Sequence, residues 1–246
     1  LTVILFMARQ ISVNREQLDG FREFFWYVLA PLVIVCLLIL PNNFSTSALV
    51  FINGLVLMFV AKIRLQFIAK VLLIALIGAF IIYASAKWTP LGTGIIPRSA
   101  TWVSRVDNFL LAGDEQQMDK DYQQTQALVA IQNGGIYGVG PGKSTQRSIL
   151  PYSESDFIYA IVLEEYGLLG GVLSIMFYLI LLFRAVKISL KSESIFGSLV
   201  AIGLMFSLVF QALINMLVSV EIMPVTGQTL PLISMGGTSL VFTFIS

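Results

Sequence analysis

Histidine is missing from this sequence altogether. Imidazole acid–base catalysis and histidine metal ligation are therefore excluded, and any proton transfer falls to Asp, Glu, Lys or Tyr. Cysteine is nearly missing. Cys36 stands alone inside an apolar run, which excludes an internal disulfide and a cysteine-cluster metal site. Charge is scarce, at 12% of 246 residues, about half the fraction usual in a soluble domain. The net charge of +1 gives no basic footprint for a nucleic-acid partner.

What the chain has instead is apolar length: 57% of its residues are hydrophobic. Apolar runs fall at 1–8, 24–40, 47–61, 71–86, 168–186, 198–222 and 238–246. A helix needs about 20 residues to cross a hydrocarbon core about 30 Å thick, so the shorter runs draw on their flanks. The pattern predicts an all-α, polytopic transmembrane bundle, one membrane domain over 1–246. The first and last runs are partial spans, and the chain is expected to be a fragment lacking both ends.

Lys and Arg alternate along the connections. The first has Arg9, Arg15 and Arg22, the third Lys62, Arg64 and Lys70, and the fifth Arg184, Lys187 and Lys191. The short connections around 41–46 and 223–237 have none. The positive-inside rule puts the first, third and fifth in the cytoplasm, and the others, with the long segment 87–156, outside. That long loop carries half of the acidic residues: Asp107, Asp114, Glu115, Asp119, Asp121, Glu154 and Asp156. It is where polar side chains are dense enough to build a reaction site.

Within this loop, Ala127, Leu128 and Ile131 at helical spacing predict a short helix over 123–133, ended by Gly134-Gly135. It is too short to span and is expected at the interface or re-entrant. The stretch through Gly138, Gly140 and Gly142-Lys143-Ser144 lacks the first glycine of a P-loop, since Tyr137 stands there. It is either a flexible turn or a backbone that comes close to an anionic head group, with Lys143 and Arg147 beside it. Asp156 is the last polar residue before the next apolar run. It is either a helix cap, with Ser153 as a capping pair, or a partly desolvated general base. Glu164 and Glu165 follow about two turns on, and intramembrane carboxylates are functional or paired unless they snorkel. Gly167, Gly170 and Gly171 suggest that 157–166 is a half-helix.

In the next run Ser207, Gln211, Asn215 and Ser219 form one polar stripe, either bonding within the bundle or lining a groove. The stretch 224–231, with Ser234 and Gly236-Gly237, is too rich in Pro and Gly for helix. Such backbone at membrane depth must be buried in protein or line a cavity.

Three blocks carry a resemblance. They are Tyr122-Gln123…Ala127-Leu128…Asn133-Gly134-Gly135-x-x-Gly138-x-Gly140-x-Gly142-x-Ser144, then Leu150-Pro151-x-x-x-Ser155-Asp156-Phe157-Ile158-x-Ala160…Glu164-Glu165-x-Gly167, and Gln211-x-x-x-Asn215…Pro224-x-Thr226-Gly227-x-x-Leu230-Pro231-x-x-Ser234-x-Gly236-Gly237. In this order and spacing the chain, from about residue 26 on, resembles the SEDS family of peptidoglycan polymerases (FtsW, RodA and SpoVE). Phe44-Ser45-Thr46-Ser47 with Met235 resembles the Bacteroidetes-type FtsW branch. Where the family often has Pro-Asp-Leu-Gly-Thr, this chain has Asn43, and no catalytic role is carried over there.

The resemblance implies about ten transmembrane helices, of which about seven are present. It implies septal polymerisation of lipid II outside the cytoplasmic membrane, with a class B penicillin-binding transpeptidase and other divisome membrane proteins as partners. An elongation-type polymerase, a lipid II flippase and a recruiting scaffold are the competing expectations. Asp156 matches the family's proposed catalytic residue. Arg105, Lys143 and Arg147 are the cationic candidates for the lipid diphosphate. Gln123, Ser144, Glu164, Glu165, Gln211 and Asn215 are further candidates for substrate binding. No protein metal site is assigned, and a divalent cation, Mg or Mn, could share the cationic task.

Overall fold

The structure is a computed structural model that describes residues 1–88, 118–150 and 156–234, the side chains of 86–88 and 118–122 excepted. Among these the regular elements are all helical: α1 (Thr2–Val13), α2 (Phe21–Ile39), α3 (Phe44–Val60), α4 (Leu65–Trp88), α5 (Met118–Gly134), α6 (Ile158–Lys191) and α7 (Ile195–Ser219). Four are long and apolar enough to cross a membrane: α2, the stretch Leu65–Ser85 of α4, α6 and α7. α1 and α3 are shorter apolar helices. The apolar run expected at 238–246 lies outside the described residues, as does Arg105.

The chain divides into two compact units, Leu1–Asp107 with Ala185–Ser207, and Asn108–Arg184 with Leu208–Ser246. In the first unit α2 contains a π-helical turn, Phe25–Leu29, just before Pro31. A proline ring clashes with the carbonyl four residues back in a regular α-helix, and a widened turn relieves that clash. α3 is capped by Asn43, whose side chain accepts from Thr46 N at 3.1 Å. The residue that departs from the family's acidic pattern is thus a helix cap. Ser47 Oγ donates to Cys36 O at 2.8 Å and ties α2 to α3. Gly54 lets Leu32 approach, since a Cβ there would stand 2.5 Å from Leu32 Cδ2. Gly203 of α7 does the same for Ile4 of α1 and Leu57 of α3. Small residues at crossings are how apolar helices pack when lipid is as apolar as their side chains.

Ile4, Met7, Ile11, Phe24, Leu32, Leu57, Met58 and Leu199 form the core of this unit. Leu72, Leu73, Ile74, Leu76, Ile77, Phe80 and Ile81 of α4 stay exposed, a surface suited to lipid. Arg15, Lys62, Ser192, Glu193, Ser194 and Ser198 all line one cavity. The first, third and fifth connections therefore meet at one end of the unit, as the charge alternation requires of loops on a common side.

In the second unit α5 packs through Ala127 and Ala130 on Leu150, Phe157 and Ala160. It starts at Met118, five residues before the predicted helix, because 118–122 carries no apolar periodicity to announce it. α6 is broken at Gly167 (φ 67°, ψ −167°), where a half-helix was expected to end.

Candidate functional site

Breaking an apolar helix strands backbone donors and acceptors that no water in a hydrocarbon core can satisfy. At Gly167 the glycine loop after α5 supplies four of these partners. Leu168 N donates to Gly135 O at 2.9 Å and Leu169 N to Ile136 O at 3.3 Å. In return Val139 N donates to Glu164 O and Gly140 N to Glu165 O, both at 3.0 Å. An unbroken helix would have closed the Glu164 and Glu165 carbonyls onto 168 and 169. Here the loop takes both halves of that exchange.

The contact is backbone to backbone, and this explains the glycines. A Cβ on Gly134 would stand 2.0 Å from Leu163 O, and one on Gly138 (φ 80°) would stand 2.1 Å from Glu165 O. Gly167 (φ 67°) is equally tight against Ile136 O, at 2.3 Å. The sequence offers a flexible turn or a close approach to an anionic head group; at Gly134 and Gly138 the structure shows instead a close approach to the backbone of the broken helix.

Glu164 fixes the far side of the loop. It is 1% exposed. Its carboxylate accepts from Ser144 Oγ, from Thr145 Oγ1 at 2.9 Å, from Thr145 N at 3.2 Å and from Gln146 N at 3.3 Å. A buried charge is tolerated when its lone pairs are filled in this way. Ser144, in turn, accepts from Arg147 N at 3.1 Å. Glu164 and Ser144 therefore bond to each other, and the carboxylate holds the loop from within. Glu165, half-buried, contributes its backbone carbonyl to the exchange at the break. Lys143 and Arg147 are exposed on this held segment, and Gln123 is half-buried in α5.

Asp156 is half-buried two residues before α6. Asn215 of α7, itself 1% exposed, donates through Nδ2 to Asp156 O at 2.8 Å and to Gln228 O at 2.7 Å. Two carbonyl acceptors require the amide nitrogen on that side, so the orientation follows from the partners. Asn215 Oδ1 is buried without a partner among the described residues. One turn earlier Gln211 Nε2 donates to Thr229 O at 3.1 Å. The polar stripe of α7 thus holds the irregular stretch 224–231. Tyr178 of α6, fully buried, donates its hydroxyl to Pro231 O, and Ser234 Oγ accepts from Leu230 N at 2.8 Å. Gly227 (φ 66°) faces the acid: a Cβ there would lie 3.9 Å from Asp156 Oδ2.

The structure thus gathers Asp156, Asn215 and the 227–229 backbone at the head of a broken apolar helix. A second cluster, Glu164 with Ser144 and Thr145, sits at the break. Among the described residues no three acidic or cysteine side chains gather to hold a metal ion. Sequence reasoning missed Thr145, Tyr178 and the docking role of Gly134 and Gly138. The four-residue glycine spacing was the available signal for the last.

Across residues 1–246 the chain matches the family model FTSW_RODA_SPOVE, described as "Cell cycle protein". It is 31% identical over 252 residues to Stage V sporulation protein E of Bacillus subtilis (strain 168), covering 100% of this chain and 64% of that protein. It is 34% identical over 250 residues to a protein named "Probable peptidoglycan glycosyltransferase FtsW" of Alkalilimnicola ehrlichii, covering 99% of this chain and 58% of the relative. The chain therefore spans about three-fifths of the length of these curated relatives. A solved structure reported under "Structural coordination of polymerization and crosslinking by a peptidoglycan synthase complex" superposes with a TM-score of 0.69 at 24% identity. That match covers 98% of this chain and 63% of the other, and it speaks for the fold.

Proposed function

The chain belongs to the FtsW/RodA/SpoVE family, and from that premise we propose that the protein it is part of is a peptidoglycan glycosyltransferase that polymerises lipid II during septal wall synthesis. One observation carries the reading: a half-buried carboxylate, Asp156, tied through Asn215 to an irregular loop at the head of a broken apolar helix. Relatives named as FtsW glycosyltransferases support the reaction type, and the family description as a cell cycle protein supports the division role.

An acceptor lipid II presents a sugar hydroxyl. Asp156 accepts its proton while the oxygen attacks the anomeric carbon of the donor strand, opposite the diphosphate. The anomeric C–O bond breaks with its electron pair going to the lipid diphosphate, which leaves as an anion and needs no acid. The new glycosidic bond has inverted configuration. Lys143 and Arg147, with Arg105, offset the diphosphate charge. A divalent cation such as Mg or Mn would share that task, held largely through the substrate diphosphate, as Mg commonly is. Bound there, the ion would supply further charge neutralisation. Gln123, Glu165, Gln211 and Asn215 shape the surroundings of this chemistry, and the Glu164–Ser144 pair fixes the loop that bears Lys143.

The alternation of basic connections supports a reaction on the extracytoplasmic face of the cytoplasmic membrane. A class B penicillin-binding transpeptidase and other divisome membrane proteins are the partners we propose. The solved relative of the same fold was described in terms of coordinated polymerisation and crosslinking, which supports a transpeptidase partner. The test is purified full-length protein in detergent, with its transpeptidase, given lipid II. Glycan chains are expected. Absence of chains in detergent, with lipid II crossing sealed vesicles instead, would overturn the reading in favour of a carrier.

A further inference from the structure

A cavity of about 170 Å³ lies in the first unit, where the end of α1, the turn after α3 and the start of α7 converge. An engineered cavity of about 150 Å³ takes a benzene-sized ligand, so this one has room for a phosphate group. Ile11, Val60, Ile195 and Leu199 are the larger apolar residues of its lining. Two cations stand on its rim, Arg15 and Lys62, against one acid, Glu193. Both cations are exposed. The ion pair found among the described residues lies elsewhere, between Arg64 and Asp19 at 3.2 Å.

Two features of the backbone aim this rim at an anion. Lys62 sits at φ 59°, a left-handed position after α3 that glycine or asparagine usually fills. The turn is closed by Ile63 N to Met58 O at 3.1 Å and Lys62 N to Phe59 O at 3.0 Å. A lysine is held in a conformation that disfavours side chains, at the mouth of a cavity. On the facing side α7 begins at Ile195, with Ser194 Oγ accepting from Gly197 N at 3.0 Å. The cavity therefore lies against the N-terminal end of a 25-residue helix, where the macrodipole is positive.

We propose that this cavity is a binding site for a phosphate-bearing anion, clamped by Arg15 and Lys62 over the start of α7. The apolar lining residues, and the apolar helices that meet there, match the headgroup of an acidic phospholipid. Free phosphate has the same chemistry and is the other source. Removing either cation weakens binding about tenfold, the scale of one charge-assisted hydrogen bond. Removing Glu193 strengthens it.

The test uses full-length protein in two arms. In nanodiscs, unfolding temperature is compared between phosphatidylcholine alone and phosphatidylcholine with phosphatidylglycerol. In detergent, it is compared between inorganic phosphate and chloride at equal ionic strength. The variants are Arg15→Gln with Lys62→Gly, Glu193→Gln, and Arg22→Gln as an exposed cation that does not line the cavity. Lys62→Gly removes the charge and relaxes the left-handed turn, so the fold tolerates it. A rise in the lipid arm that is lost in the double variant, larger in Glu193→Gln and unchanged in Arg22→Gln assigns the site to a headgroup. The same pattern in the phosphate arm alone assigns it to free phosphate. A rise that survives in the double variant, one that Arg22→Gln removes equally, or no rise in either arm overturns the proposal.

Discussion

Replacing Gly138 by alanine tests the docking of the glycine loop onto the break in α6, and Gly142 supplies the control. Both glycines have left-handed φ, 80° and 71°. A residue with a Cβ costs roughly 1–2 kcal/mol in that region, so both variants lose that much. Space separates them. At 142 nothing lies within 4 Å of the added carbon, whereas at 138 it would stand 2.1 Å from Glu165 O and 2.7 Å from Gly167 N. Those are backbone atoms of a packed helix, so the loop must lift. Lifting breaks the bonds from Val139 N and Gly140 N, each worth about 1 kcal/mol net. It also strains the bonds from Leu168 N and Leu169 N, and leaving one of these amides unpaired in an apolar surrounding costs about 1–3 kcal/mol more. Gly138→Ala should therefore lose on the order of 4–7 kcal/mol, and Gly142→Ala roughly 1–2 kcal/mol. The assay is thermal unfolding of the full-length protein in detergent, with protease cleavage in the loop as a local readout. Equal unfolding temperatures for the two variants would refute the docking argument.

Glu164→Gln puts an amide nitrogen against donors that now meet a carboxylate, among them Gln146 N. We expect a loss of about 2–4 kcal/mol and earlier proteolysis between 139 and 147. Unchanged stability with weakened lipid II binding would instead make Glu164 a substrate contact. Asn215→Leu leaves Asp156 O and Gln228 O without their donor. The carboxylate is then misplaced, and turnover should fall about 10²-fold while lipid II affinity stays within a few-fold. Asn215→Asp keeps the shape without the donors and should match it. An active Asn215→Asp enzyme would show that the amide does not position Asp156.

Much of this was legible in the sequence. The apolar runs gave the helices, because lipid-facing and bundle-facing positions are both apolar and leave long unbroken tracts. Gly167 announced the break in α6. The alternation of Arg15, Lys62 and Lys191 grouped the basic connections that meet at one end of the first unit. The tertiary pairings were not legible. Glu164 looked like a group that could meet substrate, because sequence spacing does not show that Ser144 and Thr145 fold back onto it from 20 and 19 residues away. Asn215 reads as one residue of a stripe. Its bond to Asp156, 59 residues off, depends on how α6 and α7 pack. Gly138 was readable as a close-approach position, but its partner was not, since a glycine records only that something comes near.

The central claim is that Asp156 takes the acceptor proton, and the direct measurement is Asp156→Asn in full-length protein, assayed for polymer and for lipid II binding side by side. A positioned general base contributes about 10²–10⁴-fold. The account predicts at least that loss of glycan chains, with lipid II bound within a few-fold of the native protein. Full polymer formation by Asp156→Asn would contradict it.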